Sequence, residues 1–145
     1  SKGVAYEGHV LLQTDCSLFM TNGFFTGNVA YDKGMVTAHG DSLVFINNTH
    51  FYANEAMHDA LILYIEGADL NRLLLEDETY EFKNKHTAMS KLYKIEVNDN
   101  KLLNGGNLIK AITSNLNVVE SIFHENKLKY MHGGIHVVYG NLHIT

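Results

Sequence analysis

Proline and tryptophan are absent from this chain, cysteine occurs once, as Cys16, and arginine once, as Arg72. No Pro/Ser-rich linker divides the chain, so one domain spanning 1–145 is the economical organisation. A single cysteine excludes an internal disulfide framework and reads as a small buried residue or a turn thiol. No apolar run approaches membrane-spanning length, so no membrane span is expected. Net charge is −5, and no basic cluster or basic-aromatic patch appears that could neutralise a run of phosphates, which argues against nucleic acid as a partner. There is also no long apolar stripe of helical period, although 46% of the residues are hydrophobic.

What the chain does have is a phrase said twice. Asp15, Phe19, Asn22, Phe25, Asn28 and Ala30 recur, all at one constant offset, as Asp41, Phe45, Asn48, Phe51, Asn54 and Ala56. Leu18/Val44 and Met20/Ile46 match conservatively between them. A third, weaker copy places Phe123 and Asn126 where the second has Phe51 and Asn54, with Ser121 for Thr49, Leu116 for Val44 and Val118 for Ile46. Between them, two equal and slightly shorter steps from Asn54 land on Asp77 and then Asn100, each preceded at the position of the phenylalanine by an aliphatic residue, Leu74 and Val97. Glu81-Phe82-Lys83-Asn84 offers a competing register in this middle stretch.

A period in the mid-twenties is too long for a heptad and too short for an independent domain. It is one coil of a solenoid that stacks on its neighbours. Short apolar runs follow small turn residues, as in Gly34-Met35-Val36, Ala60-Leu61-Ile62 and Gly134-Ile135, which reads as strands after tight turns. The fold expected is all-β: a right-handed parallel β-helix of about five to six coils, each with a period in the low to middle twenties and about three strands. Phe25, Phe51 and Phe123 are expected to stack inside. Asn28, Asn54, Asn100 and Asn126 are expected to line one bend as a ladder that satisfies polar groups stranded at a corner. Glycine is expected where the turns need positive φ.

Phe25-Thr26-Gly27-Asn28-Val29-Ala30 and Phe51-Tyr52-Ala53-Asn54-Glu55-Ala56, together with Gly133-Gly134-Ile135, resemble the F-x-x-N-x-A and G-G-A-I repeats of the polymorphic outer-membrane protein family. That family belongs to the broad pectate-lyase-like group of right-handed β-helices. The resemblance implies a surface passenger or adhesin, extracellular or at the cell surface, and carries no catalytic residues across.

Candidate sites are few. His124, His132, His136 and His143 crowd the C-terminal coil, but without a His-x-His pair or an HExxH motif they read as surface histidines and not as metal ligands. Asp15, Asp41 and Asp69 fall in a column in which a calcium ion or a sugar network is conceivable, with ordinary turn chemistry the stronger reading. A polysaccharide lyase or hydrolase needs clustered carboxylates with a basic residue on one face. Arg72 has no such set in register, and Glu76, Asp77 and Glu78 read as a solvated turn. Asn47-Asn48-Thr49 is an N-glycosylation acceptor at Asn47, in which Asn48 and Thr49 belong to the repeat core. Ile135, Val137, Leu142 and Ile144 fall on a last rung without a polar cap, so they mark an assembly end. The expectation is therefore a non-enzymatic extracellular structural, fibre-forming or adhesive β-helix module without a cofactor. It would continue end to end with itself or with further coils of a longer solenoid, and a host-surface or carbohydrate ligand is conceivable. The alternative is a carbohydrate-binding or polysaccharide-cleaving β-helix that uses its long outer face as a groove.

Overall fold

Left-handed backbone at fixed intervals breaks the chain into short strands. In the computed structural model, which describes residues 4–5, 11–40, 42–67 and 89–145, columns of positive φ run along the molecule, two of them flanking the strands that begin at Phe24, His50, Glu96 and Ile122. One is Asn22 (54°), Asn48 (46°), Lys94 (51°) and Glu120 (47°); the other is Gly27 (61°), Ala53 (51°), Asp99 (54°) and Glu125 (54°). Only Gly27 among these is the glycine expected at such turns. For Ala53, Lys94, Glu120 and Glu125 the left-handed conformation costs roughly 1–2 kcal/mol each, whereas Asn22, Asn48 and Asp99 are of types that adopt it more readily. Backbone hydrogen bonds to the next coil hold them there: Asn48 donates to Tyr93 O at 3.0 Å, Lys94 to Val119 O at 3.0 Å and Ala53 to Asn98 O at 3.3 Å.

The described residues form strands and no helix, and every strand pairing among them is parallel, between one coil and the next. Four sheets result. Sheet A stacks β1 (Val4–Ala5), β5 (Val29–Ala30), β9 (Glu55–Ala56), β13 (Lys101–Leu102) and β17 (Lys127–Leu128). Sheet B stacks β2 (Leu11–Thr14), β6 (Val36–His39), β10 (Ala60–Glu66), β14 (Gly106–Ile112) and β18 (Met131–Val138). Sheet C stacks β3 (Ser17–Thr21), β7 (Leu43–Asn47), β11 (Met89–Tyr93), β15 (Asn115–Val119) and β19 (Leu142–Ile144). Sheet D stacks β4 (Phe24–Thr26), β8 (His50–Tyr52), β12 (Glu96–Asn98) and β16 (Ile122–His124). The chain visits them in the order A, B, C, D, so the molecule is a parallel β-solenoid with four strands per coil rather than three. It makes four full coils, β1 to β16, and a partial one, β17 to β19, instead of five to six.

The missing coil is the one inferred through Leu74 and Asp77. β8 pairs directly with β12, Phe51 opposite Val97, and β7 pairs directly with β11, Ile46 opposite Leu92. Two coils that are widely separated along the chain are thus one rung apart in space. The extra length falls between β10 and β11, where residues 67–88 stand in place of the short links 15–16, 40–42, 113–114 and 139–141. Leu74, Asp77 and Glu81-Phe82-Lys83-Asn84 lie outside the described residues.

Strand alternation sends one set of side chains inward. Val36, Ala38, Leu63, Ile65, Ile109 and Ala111 come from sheet B, and Val44, Ile46, Leu92, Leu116 and Val118 from sheet C. Phe25, Phe51 and Val97 come from sheet D, and Ala30, Ala56 and Leu102 from sheet A, and all of these are buried. On the two-residue strands of sheet A the inward residue is alanine after Phe25 and Phe51, as Ala30 and Ala56, and leucine after Val97, as Leu102.

Candidate functional site

The repeated phenylalanines and asparagines meet at the corner between sheets D and A. Phe25 and Phe51 stack with ring centroids 4.9 Å apart and planes 15° from parallel. Val97 occupies the next rung and separates Phe51 from Phe123, which is half-buried against the core, so the aromatic column is interrupted. The asparagine column is continuous. Asn54 Oδ1 accepts from Asn28 N at 3.0 Å and Asn28 Nδ2 at 2.8 Å. Asn100 Oδ1 accepts from Asn54 N at 2.9 Å and Nδ2 at 3.0 Å, and Asn126 Oδ1 from Asn100 N at 3.2 Å and Nδ2 at 2.9 Å. Each amide also reaches back one coil: Asn54 Nδ2 donates to Phe25 O, Asn100 Nδ2 to Phe51 O and Asn126 Nδ2 to Val97 O, at 2.8–3.0 Å.

A second internal device follows at the corner between sheets C and D, where Thr49 Oγ1 accepts from Gly23 N at 3.2 Å and Ser121 Oγ accepts from Ile95 N at 3.2 Å. Thr49 is therefore buried as expected, but Asn48 is exposed and not in the core; its Nδ2 donates to Asn22 Oδ1 at 2.6 Å on the surface. Asn47 is also exposed, on the outer side of sheet C. Repetition does not distinguish inside from outside. Phe19 and Phe45 stack as closely as the internal pair, 4.9 Å and 4°, yet on the outer face, with Phe19 74% exposed.

The terminal rung shows inward columns laid open. Leu142 continues the column of Leu116, and Ile144 that of Val118. Leu116 and Val118 are 0% and 2% exposed, whereas Leu142 and Ile144 are 40% and 62% exposed. Ile135 and Val137 continue Ile109 and Ala111 and pack against the core from one side. Among the described residues, the strands β16, β17, β18 and β19 each pair with one neighbour only.

The outer side of sheet B gathers the densest polar cluster. The Tyr64 hydroxyl donates to Glu66 Oε2 at 2.9 Å, and the Tyr64 ring lies between Lys33 and Lys110, whose ammonium groups are 5.5 and 5.6 Å from its centroid. Lys110 pairs with Asp59 at 2.9 Å, and His39 approaches Glu66 at 3.8 Å. Burial, then the hydrogen bond and charge of Glu66, push the Tyr64 phenol well above its usual pKa, so it stays a neutral donor. On sheet D, Glu96 reaches His50 at 3.9 Å on one coil and His124 at 3.4 Å on the other.

The C-terminal histidines separate: His124 is on sheet D, His132 and His136 are in β18 of sheet B, and His143 is on sheet C. Among the described residues no group of three His, Cys, Asp or Glu side chains could hold a metal ion. Of the three-aspartate column only Asp15 is among the described residues, with its backbone N donating to His39 O and its side chain beside Gly40; Asp41 and Asp69 lie outside them. Cys16 is exposed at the corner after β2 and is a turn thiol, not a buried one. Arg72, Glu76 and Glu78 are outside the described residues as well. No family model, no curated protein and no solved structure matches the chain.

Proposed function

We propose that this chain is a non-enzymatic structural or adhesive module of an extracellular or cell-surface solenoid, which works by continuing end to end. What supports the reading is that every coil is joined to the next by the same parallel pairing, and that Leu142 and Ile144 stand in the columns of Leu116 and Val118, on which a further coil can pack. A coil added there, from the same polypeptide or from a neighbouring molecule, covers these side chains and pairs the outer edges of β16 to β19. Between separate chains such a head-to-tail contact is heterologous and does not close, so its product is a filament. The surface location rests on the resemblance of the Phe-x-x-Asn-x-Ala phrases and Gly133-Gly134-Ile135 to polymorphic outer-membrane protein repeats. Polysaccharide cleavage has less support, because Asp59 and Glu66 are already engaged by Lys110 and Tyr64.

Light scattering across a concentration series, with electron microscopy, tests the assembly. The chain should associate end to end, and Leu142→Asp with Ile144→Lys should suppress that association while leaving the circular dichroism unchanged. A monodisperse monomer at every concentration, indistinguishable from the double variant, refutes head-to-tail assembly of separate chains.

A further inference from the structure

A cleft opens on the outside of the corner between sheets A and B, where the turn before β10, the start of β14 and the middle of β18 come together. Its volume is about 350 Å³, within the range of roughly 300–1,000 Å³ that takes small ligands and several times the volume of one water. The lining is polar and comes from three successive coils: His58 and Asp59, then Asn107 and Lys110, then His136. Gly106 keeps the coils close. Its φ is +139°, and a Cβ there would meet Asp59 O at 2.6 Å. Asn107, at this cleft, is 3% exposed, and its Oδ1 is buried with no hydrogen-bond partner. A buried acceptor left unpaired destabilises the fold, so a ligand hydroxyl that pairs with it is favoured. At a different corner the Oδ1 atoms of Asn54, Asn100 and Asn126 are paired within the asparagine ladder, whereas Asn28 Oδ1 on its first rung and Asn117 Oδ1 on sheet C are buried without a partner as well.

We propose that this cleft binds a neutral saccharide, one ring hydroxyl of which donates to Asn107 Oδ1. The charges select the class. Lys110 and Asp59 are committed to each other at 2.9 Å, so among the described residues the lining offers no free lysine or arginine to hold a uronate, sulfate or phosphate. Nor does it offer, among them, a free carboxylate to hold an amine. Acceptors and donors nevertheless lie side by side, at Asn107 Oδ1, the Asp59 carboxylate, the Lys110 ammonium and the imidazoles of His58 and His136. A hydroxyl, which donates once and accepts twice, can use both kinds at once. The cleft does not use Leu142 or Ile144, although His136 lies in β18 of the same last rung; binding should therefore persist in the Leu142→Asp, Ile144→Lys double variant, which separates it from the end-to-end assembly.

The test is an array of neutral gluco-, manno-, galacto- and xylo-oligosaccharides together with polygalacturonate, sialylated and sulfated glycans, probed with the intact chain and followed by calorimetry on the strongest neutral binder. Neutral glycans should bind in preference to acidic ones. Asn107→Ala should weaken binding at least tenfold while leaving the urea midpoint unchanged or higher, because it removes an unpaired group rather than a paired one. His136→Ala, at the exposed side of the cleft, should weaken binding without touching the core. Preference for acidic glycans, binding undiminished in both variants, or no binding across the array would each overturn the proposal.

Discussion

Replacing Asn54 by alanine is the sharpest probe of how this solenoid holds together. The Asn54 side chain takes four hydrogen bonds at once: it accepts from Asn28 N and Asn28 Nδ2, and donates to Phe25 O and Asn100 Oδ1. Asn100 Oδ1 keeps a second donor, the backbone N of Asn54, after the substitution. The other three groups lose the partner they have in Asn54, at a corner where Asn28, Asn54 and Asn100 are all 0–1% exposed. At about 1–3 kcal/mol for each buried polar group left unpaired, the expected loss is roughly 3–9 kcal/mol, comparable with the whole stability of many domains. Asn126→Ala is the internal control. Asn126 is part-buried, and removing it deprives Asn100 N and Nδ2 of one acceptor and Val97 O of one donor, where water can enter instead. Its cost should be about 1 kcal/mol. Urea unfolding followed by circular dichroism, read at constant m-value, separates the two. If Asn54→Ala costs no more than Asn126→Ala, the ladder is not what satisfies this corner, and the argument built on it fails.

Phe51→Ala should cost about 3–5 kcal/mol in the same assay, because the ring is fully buried against Phe25; a loss under about 1 kcal/mol would contradict the internal stack. The Tyr64 phenol is raised, by burial first and then by Glu66, so the folded state holds its proton more tightly than the unfolded chain does. Its contribution is full below the unfolded value of about 10 and is lost as pH rises above it, so the decline in stability above about pH 10 should be shallower in Tyr64→Phe. Incubation with polyuronides and neutral glycans should yield no reducing ends or unsaturated products; turnover abolished by substituting one surface carboxylate would restore the enzyme reading. Replacing residues 68–88 with a link of two or three residues should leave the chain folded, as judged by circular dichroism and a cooperative urea transition.

Much of the solenoid is legible in the sequence, because a parallel stack repeats its environment at every rung and so selects the same residue at the same offset. The Asn28/Asn54 and Asn100/Asn126 pairs are visible at one shared spacing for this reason: a buried amide that pairs with its own kind tolerates no substitute. The number of coils is not legible by spacing. Asn54 and Asn100 stand nearly twice as far apart along the chain as those pairs do, and an evenly spaced reading inserts a rung at Asp77 that the direct pairing of β8 with β12 leaves no room for. Nor does identity tell which side of a strand a residue faces, since Phe19/Phe45 and Phe25/Phe51 repeat and stack equally well on opposite sides. The saccharide cleft leaves hardly a trace in the pattern. Asn107 departs from the repeat, and its unpaired oxygen is a property of three coils meeting, with Gly106 as the one local sign.

The same geometry leaves room for so long an insertion. In a solenoid each strand needs only its counterpart one coil away, so a link between sheets B and C is free to lengthen provided both ends return to register. They do: Glu66 still pairs with His39 on one side and Ile112 on the other, and Tyr93 with Asn47 and Val119. Lengthening a link from about three residues to about twenty costs about 2 kcal/mol in closure entropy, at roughly 0.6 kcal/mol per doubling. Breaking one internal asparagine rung costs more than that. Selection can therefore lengthen a link of this molecule more cheaply than it can alter a ladder, and a cleft such as the one at Asn107 sits on the outside, between coils that the ladders already hold in place.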